Sequence, residues 1–142
     1  MNTSRTLVGA VGVLIVTDLV GGLLAVASDV NTWGEAWGGE ALLAAPLPMI
    51  AVQVLLTWAA VRGRGRGAVV AAGLLAVACL VSVASGFFDG GLGNDALSTG
   101  LAAYQVLLLT VTGAVGVVAL LRLRELVAQK PIRARWASSQ SR

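Results

Sequence analysis

The chain has 142 residues, 57% hydrophobic and 12% charged, with a mean hydropathy of +0.86 and a formal net charge of +3. Soluble domains carry roughly 45–50% apolar and about 25% charged residues, so a water-soluble fold of this length is excluded for want of a polar surface. There is no histidine, and Cys79 is the single cysteine. That removes histidine-ligated haem and zinc, any Ser-His-Asp triad, and any intrachain disulfide or CxxC pair.

A hydrocarbon core about 30 Å thick takes roughly 20 apolar helical residues to cross. Four stretches meet that requirement, over residues 7–27, 41–61, 68–88 and 97–121. A polar segment, a basic turn and a glycine-rich acidic loop separate them, and a basic tail follows over 122–142. The fold class predicted is all-α: a single polytopic membrane domain of four transmembrane helices in an up-down bundle.

Orientation follows from charge, because Lys and Arg are retained on the cytoplasmic side. All 10 basic residues fall in alternate connections: Arg5 before the first span, Arg62, Arg64 and Arg66 between the second and third, and Arg122, Arg124, Lys130, Arg133, Arg135 and Arg142 after the fourth. The other two connections hold Asp29, Glu35, Glu40, Asp89 and Asp95 and no base. Arg5, Arg62, Arg64, Arg66, Arg122 and Arg124 are therefore the topology determinants. The expected placement is a multi-pass protein of the plasma (inner) membrane with both termini cytoplasmic. Ala25-Val26-Ala27 has the small-residue form of a signal-peptidase site, but the run before it exceeds the usual ~7–15 residues of a signal core and contains Asp18.

Tryptophans favour the membrane–water interface, and Trp33, Trp37, Trp58 and Trp136 are expected to serve as anchors. Residues 33–43 read as an interfacial segment on the outer leaflet. Pro46 and Pro48 fall near the start of the second span, where a missing N–H costs least. Two short words recur: Gly22-Leu23-Leu24-Ala25-Val26-Ala27 as Gly73-Leu74-Leu75-Ala76-Val77-Ala78, and Gln53-Val54-Leu55-Leu56 as Gln105-Val106-Leu107-Leu108, at offsets of 51 and 52. They suggest a duplicated two-helix hairpin, although a chain this rich in Ala, Val, Leu and Gly repeats such words readily by chance.

Asp18 lies near the middle of the first span, where an aspartate costs roughly 2.5–3.5 kcal/mol to insert. The 12 Leu, Ile and Val residues around it in 7–27 offset that cost at about 0.3–0.6 kcal/mol each. Gly21, Gly22 and Ala25 share its helical face, and small-residue stripes are where membrane helices pack closely, so Asp18 points into the bundle. Polar residues on the other spans come out at similar depth. The candidate intramembrane polar site is Asp18 with Gln53, Gln105, Thr57, Cys79 and Ser82, with Asp18 expected to pair with Gln53 or Gln105. No base lies within any span to form a salt bridge.

The Arg-Gly run over 62–67 follows no strand and joins two spans, so it reads as a topology anchor and not a nucleic-acid tract. The acidic loop around 89–95 lacks the alternating acids and terminal Glu of an EF-hand. No metal, cofactor or catalytic constellation is expected, and the chain reads as a non-enzyme. The function expected is a small structural or accessory membrane subunit, whose partners are the bilayer and either a second copy or another membrane protein. The alternatives are a proton- or cation-linked carrier using Asp18 and, behind that, a membrane enzyme on a lipid.

Overall fold

In the computed structural model the described residues are 2–39, 41, 43–88 and 98–139, with side chains described as far as Ala128. Glu40, most of the acidic loop with Asp89 and Asp95, the last three residues, and the side chains of Lys130, Arg133, Arg135 and Trp136 lie outside that set. The described residues form four α-helices, α1 (Thr3–Ala27), α2 (Leu47–Arg62), α3 (Arg66–Phe88) and α4 (Thr99–Ser139), with one 3-10 turn at Glu35–Trp37. The described residues contain no strand.

Three helical segments are long and apolar enough to cross a membrane: Thr3–Ala27, Arg66–Phe88 and Thr99–Ala128. Their outward faces are hydrocarbon, with Val16, Leu23, Val70, Leu74, Val81, Val106 and Val117 all exposed. Such a surface is tolerable only where the solvent is itself apolar. This is a helical bundle built for a membrane environment.

The buried faces follow the helical period. In α1 they are Leu7, Val11, Leu14, Asp18, Gly21, Gly22 and Ala25, and in α2 Gln53, Thr57 and Ala60. Leu7, Val11, Leu14, Ala60, Ala72, Leu75, Cys79, Val115 and Ala119 belong to one apolar core. The most extensive packing is α3 on α4, followed by α1 on α4 and α2 on α3. Small residues make the α3–α4 contact close: a Cβ added at Gly116 would lie 3.2 Å from the Cβ of Cys79.

Helix α1 closes where Asp29 takes the left-handed conformation (φ 55°) and the Ala25 carbonyl accepts the Val30 and Asn31 N–H groups. The turn between α2 and α3 reverses through Gly65 (φ 66°), a conformation glycine adopts without a Cβ penalty. Contacts between α1 and α4 run antiparallel, with Thr3 meeting Glu125 and Thr17 meeting Tyr104. Thr3, Ala60, Arg122 and Glu125 consequently gather at one end of the bundle.

Two element boundaries differ from those expected. The second helix begins at Leu47 and not at 41, leaving 16 helical residues, about 24 Å at 1.5 Å per residue against a core of about 30 Å. Residues 43–46 are irregular instead, because Pro46 and Pro48 terminate any helix arriving from the N-terminal side. The fourth helix does not stop at 121; its backbone continues to Ser139. As far as Lys130 the basic sequence loses hydropathy but not helix propensity, since Arg, Leu, Glu, Gln and Lys are all good helix formers; beyond it the helical backbone runs on through Pro131, which removes one helix N–H.

Candidate functional site

The irregular segment before α2 positions the site. Non-helical backbone at membrane depth is tolerated only when protein covers it and satisfies its polar groups. Leu43 and Ala44 are buried, and the Ala45 N–H donates to Asp18 Oδ1 at 2.9 Å. Pro46 and Pro48 have no N–H to satisfy, while the Met49 and Ile50 N–H groups both reach the Pro46 carbonyl, at 2.8 and 3.1 Å. A helix start leaves its first donors unpaired; here Pro46 and Pro48 carry none and Met49 is satisfied by the Pro46 carbonyl, while the carboxyl group on α1 takes the N–H of Ala45 just before the helix. The carboxyl also sits at the N-terminal end of α2, where the helix dipole favours a negative charge.

The small residues beside Asp18 explain how that segment comes so close. A Cβ added at Gly21 would lie 1.8 Å from the Leu43 carbonyl oxygen, and one at Gly22 would lie 2.6 Å from the Trp37 ring. The stripe expected to receive a neighbouring helix receives Tyr104 of α4 and, closer still, the Leu43 backbone and the Trp37 ring. The Tyr104 hydroxyl, from α4, closes the other side by donating to the Thr17 carbonyl.

Beneath the segment lies a cavity of about 350 Å³, lined among others by Asp18, Gln53, Gln105, Ser82, Leu14 and Met49. Asp18, Gln53 and Gln105 are 1%, 5% and 7% exposed. Asp18 Oδ2, Gln53 Oε1 and Gln105 Oε1 are all buried with no hydrogen-bond donor. The expected pairing of Asp18 with a glutamine is absent: its bonded oxygen serves Ala45, and both glutamine oxygens remain unmatched. Nearby hydroxyls do not fill the gap. Thr57 donates to the Gln53 carbonyl at 2.7 Å and Thr112 to the Leu108 carbonyl at 2.8 Å, each within its own helix.

Of the other candidate residues, Ser82 lines the cavity, whereas Thr57 and Cys79 do not; Cys79 packs against Gly116. Sequence reading missed Ala45, Leu43 and Tyr104. The Ala-Pro-Leu-Pro run over 45–48 was the available signal for an interrupted helix.

The expected anchors are placed differently from one another. Trp33 and Trp58 are 64% and 60% exposed, whereas Trp37 is half-buried against Gly22. The turn carrying Trp37 is fastened by Thr32 and Glu35, the Thr32 N–H donating to Glu35 Oε2 at 2.8 Å. That bond holds the Glu35 carboxyl below its ordinary pKa. The fastening is thus present above the usual glutamate range and lost as pH falls through the lowered value.

Arg5, Arg62, Arg64, Arg66 and Arg124 are exposed. Arg122 is not: it donates to the Ala60 carbonyl at the end of α2 (3.3 Å) and pairs with Glu125 (3.3 Å), which also accepts from the Thr3 hydroxyl. One arginine therefore ties three helices at this end. Arg122→Ala is expected to lower stability by about 1.5–3 kcal/mol, the range for a hydrogen bond to a charged group, while Arg124→Ala leaves it within about 0.5 kcal/mol. Thermal unfolding in mild detergent checks both.

Among the described residues, fold and cavity define a helical membrane-type bundle with a cavity lined in part by Asp18, Gln53 and Gln105. Comparison with protein-family models, with characterised proteins and with solved structures yields no match in any of the three.

Proposed function

We propose that this is a small plasma-membrane protein of four spans, with both termini cytoplasmic, that binds a small cation at Asp18 and carries it between the two sides. One observation carries the reading: Asp18, Gln53 and Gln105 line a single cavity, and each has a buried side-chain oxygen without a hydrogen-bond donor. Unpaired buried acceptors are costly, and an intramembrane carboxylate facing a cavity is a site for protons or cations in most settings where it occurs. A bound cation supplies the missing donors and charge.

The four-span arrangement is supported by the way α2 and the irregular residues before it together approach the needed length, and by the alternation of basic and acidic connections. Its test is labelling from outside intact cells in a Cys79→Ala background. Gly34→Cys should react with an impermeant reagent and Gly67→Cys should not; labelling of both or neither defeats the orientation. Gln53 and Gln105 lining one cavity supports the duplicated hairpin. The counterparts of Asp18 at the same offsets are Val69 and Val70, so the acid belongs to one half only.

Carriage is tested in reconstituted vesicles. Asp18→Asn keeps an acceptor for Ala45 but removes the charge, and should abolish cation- or proton-coupled flux. Undiminished flux removes the reading. A second reading, an accessory subunit without transport, is favoured by the Asp18–Ala45 bond, because that oxygen has a structural task of its own. Under it, Asp18→Asn is silent in every flux assay, and a second copy or another membrane protein copurifies in stoichiometric amount.

A further inference from the structure

We infer that the arginine-bearing end of the bundle binds the phosphodiester headgroups of anionic phospholipids, an assignment independent of what the cavity holds. Arg5, Arg62, Arg64, Arg66 and Arg124 are exposed. The Thr3–Glu125 and Arg122–Ala60 contacts bring together the start of α1, the end of α2 and the 122–125 turn of α4. The short connection from α2 to α3 carries Arg64 and Arg66 to the same end. Among the described residues the acid here is Glu125, which Arg122 and the Thr3 hydroxyl already occupy. The five exposed arginines make no side-chain hydrogen bond or ion pair among the described residues. Arg66 moreover opens α3, where a helix dipole disfavours a cation, and no acid lies in that first turn. Its charge does not stabilise α3 and is left for a partner outside the fold.

The way these arginines face selects a lipid over a soluble anion or a nucleic acid. Residues three or four apart lie on one face of a helix. In each helix an exposed apolar side chain stands three or four positions from an exposed arginine, on the side toward the middle of the helix. These are Val8 for Arg5, Trp58 for Arg62, Val70 for Arg66 and Leu121 for Arg124. The guanidinium groups thus stand above hydrocarbon-facing columns around the bundle, at the level where a bilayer changes from acyl chain to phosphate. An arginine fork matches a phosphate in two parallel N–H···O bonds. A zwitterionic headgroup brings its own ammonium and no net charge, whereas an anionic one supplies the negative charge that these unpaired arginines lack.

The test titrates the full chain in mild detergent with dioleoyl phosphatidylglycerol and dioleoyl phosphatidylcholine, which share acyl chains, and counts bound lipid by native mass spectrometry. The anionic lipid should bind at least tenfold more tightly, and the preference should shrink with added salt. Arg62→Gln, Arg66→Gln and Arg124→Gln should each weaken it about fivefold, the value of one basic residue at a charged membrane surface. Combining the three should erase the preference. Each variant should keep the parent melting temperature, because an exposed side chain without a partner is replaced, so lost binding is not lost folding. Inorganic phosphate at the same concentration should not compete, since it has no acyl chain to lie against Val8, Trp58, Val70 and Leu121. Equal binding of the two lipids, or an undiminished preference in the combined variant, overturns the assignment. Displacement by inorganic phosphate also overturns it and reassigns the arginines to a soluble anion. None of these readouts depends on Asp18, so the cation-binding reading stands or falls separately.

Discussion

Asp18→Ala is expected to improve insertion of α1 while weakening the folded bundle by about 2 kcal/mol, two effects of opposite sign from one substitution. The insertion gain follows from removing a carboxyl that costs roughly 2.5–3.5 kcal/mol at mid-helix. That gain does not carry into the stability of the assembled bundle, because a separated α1 in the bilayer bears Asp18 as well. What the folded state loses is the acceptor for Ala45 N–H. An orphaned donor at this half-buried position costs about 1–3 kcal/mol. Asp18→Asn should restore most of the stability through its carbonyl oxygen without restoring cation binding. Insertion assays and detergent unfolding measure the two halves separately. A bundle of unchanged stability in the alanine variant would mean that the Ala45 contact contributes nothing.

Gly21→Ala should be the most damaging single-methyl addition in the molecule. The new Cβ would stand 1.8 Å from the Leu43 carbonyl oxygen, a backbone atom that cannot rotate aside. To make room, the irregular segment must move off α1, and the Ala45–Asp18 bond goes with it. Overpacking typically costs about 1–3 kcal/mol, and the lost bond adds to it, so about 3 kcal/mol or more is expected. Gly86→Ala is the matched control. Its Cβ would meet Leu109 Cδ2 at 2.5 Å, but that is the end of a flexible side chain, and a change of rotamer should hold the cost under about 1.5 kcal/mol. Equal melting temperatures for the two variants would show that the close approach at Gly21 is not needed for the fold.

Asp18 shows where reading the sequence stops. Its burial, and the burial of Gly21, Gly22 and Ala25 beside it, follow from spacing within one helix. The same arithmetic places Gln53, Thr57 and Ala60 on the inward face of α2, and all three are buried. It does not say which atom Asp18 meets. A glutamine side chain of matching depth is the natural expectation, yet the partner is the backbone of Ala45, 27 residues away. Arg122 is similar: its charge marks the end of an apolar stretch, but its grip on the Ala60 carbonyl depends on how α2 and α4 come together.

Hydropathy and helical period are properties of consecutive residues, so composition by itself determined the apolar helices, their inward stripes and the exclusion of a soluble fold. Where α2 starts, what Gly21 and Gly22 accommodate and which oxygens are left without donors were decided by tertiary structure. Each of those depends on satisfying backbone groups between segments far apart in the chain, and no local pattern encodes that matching.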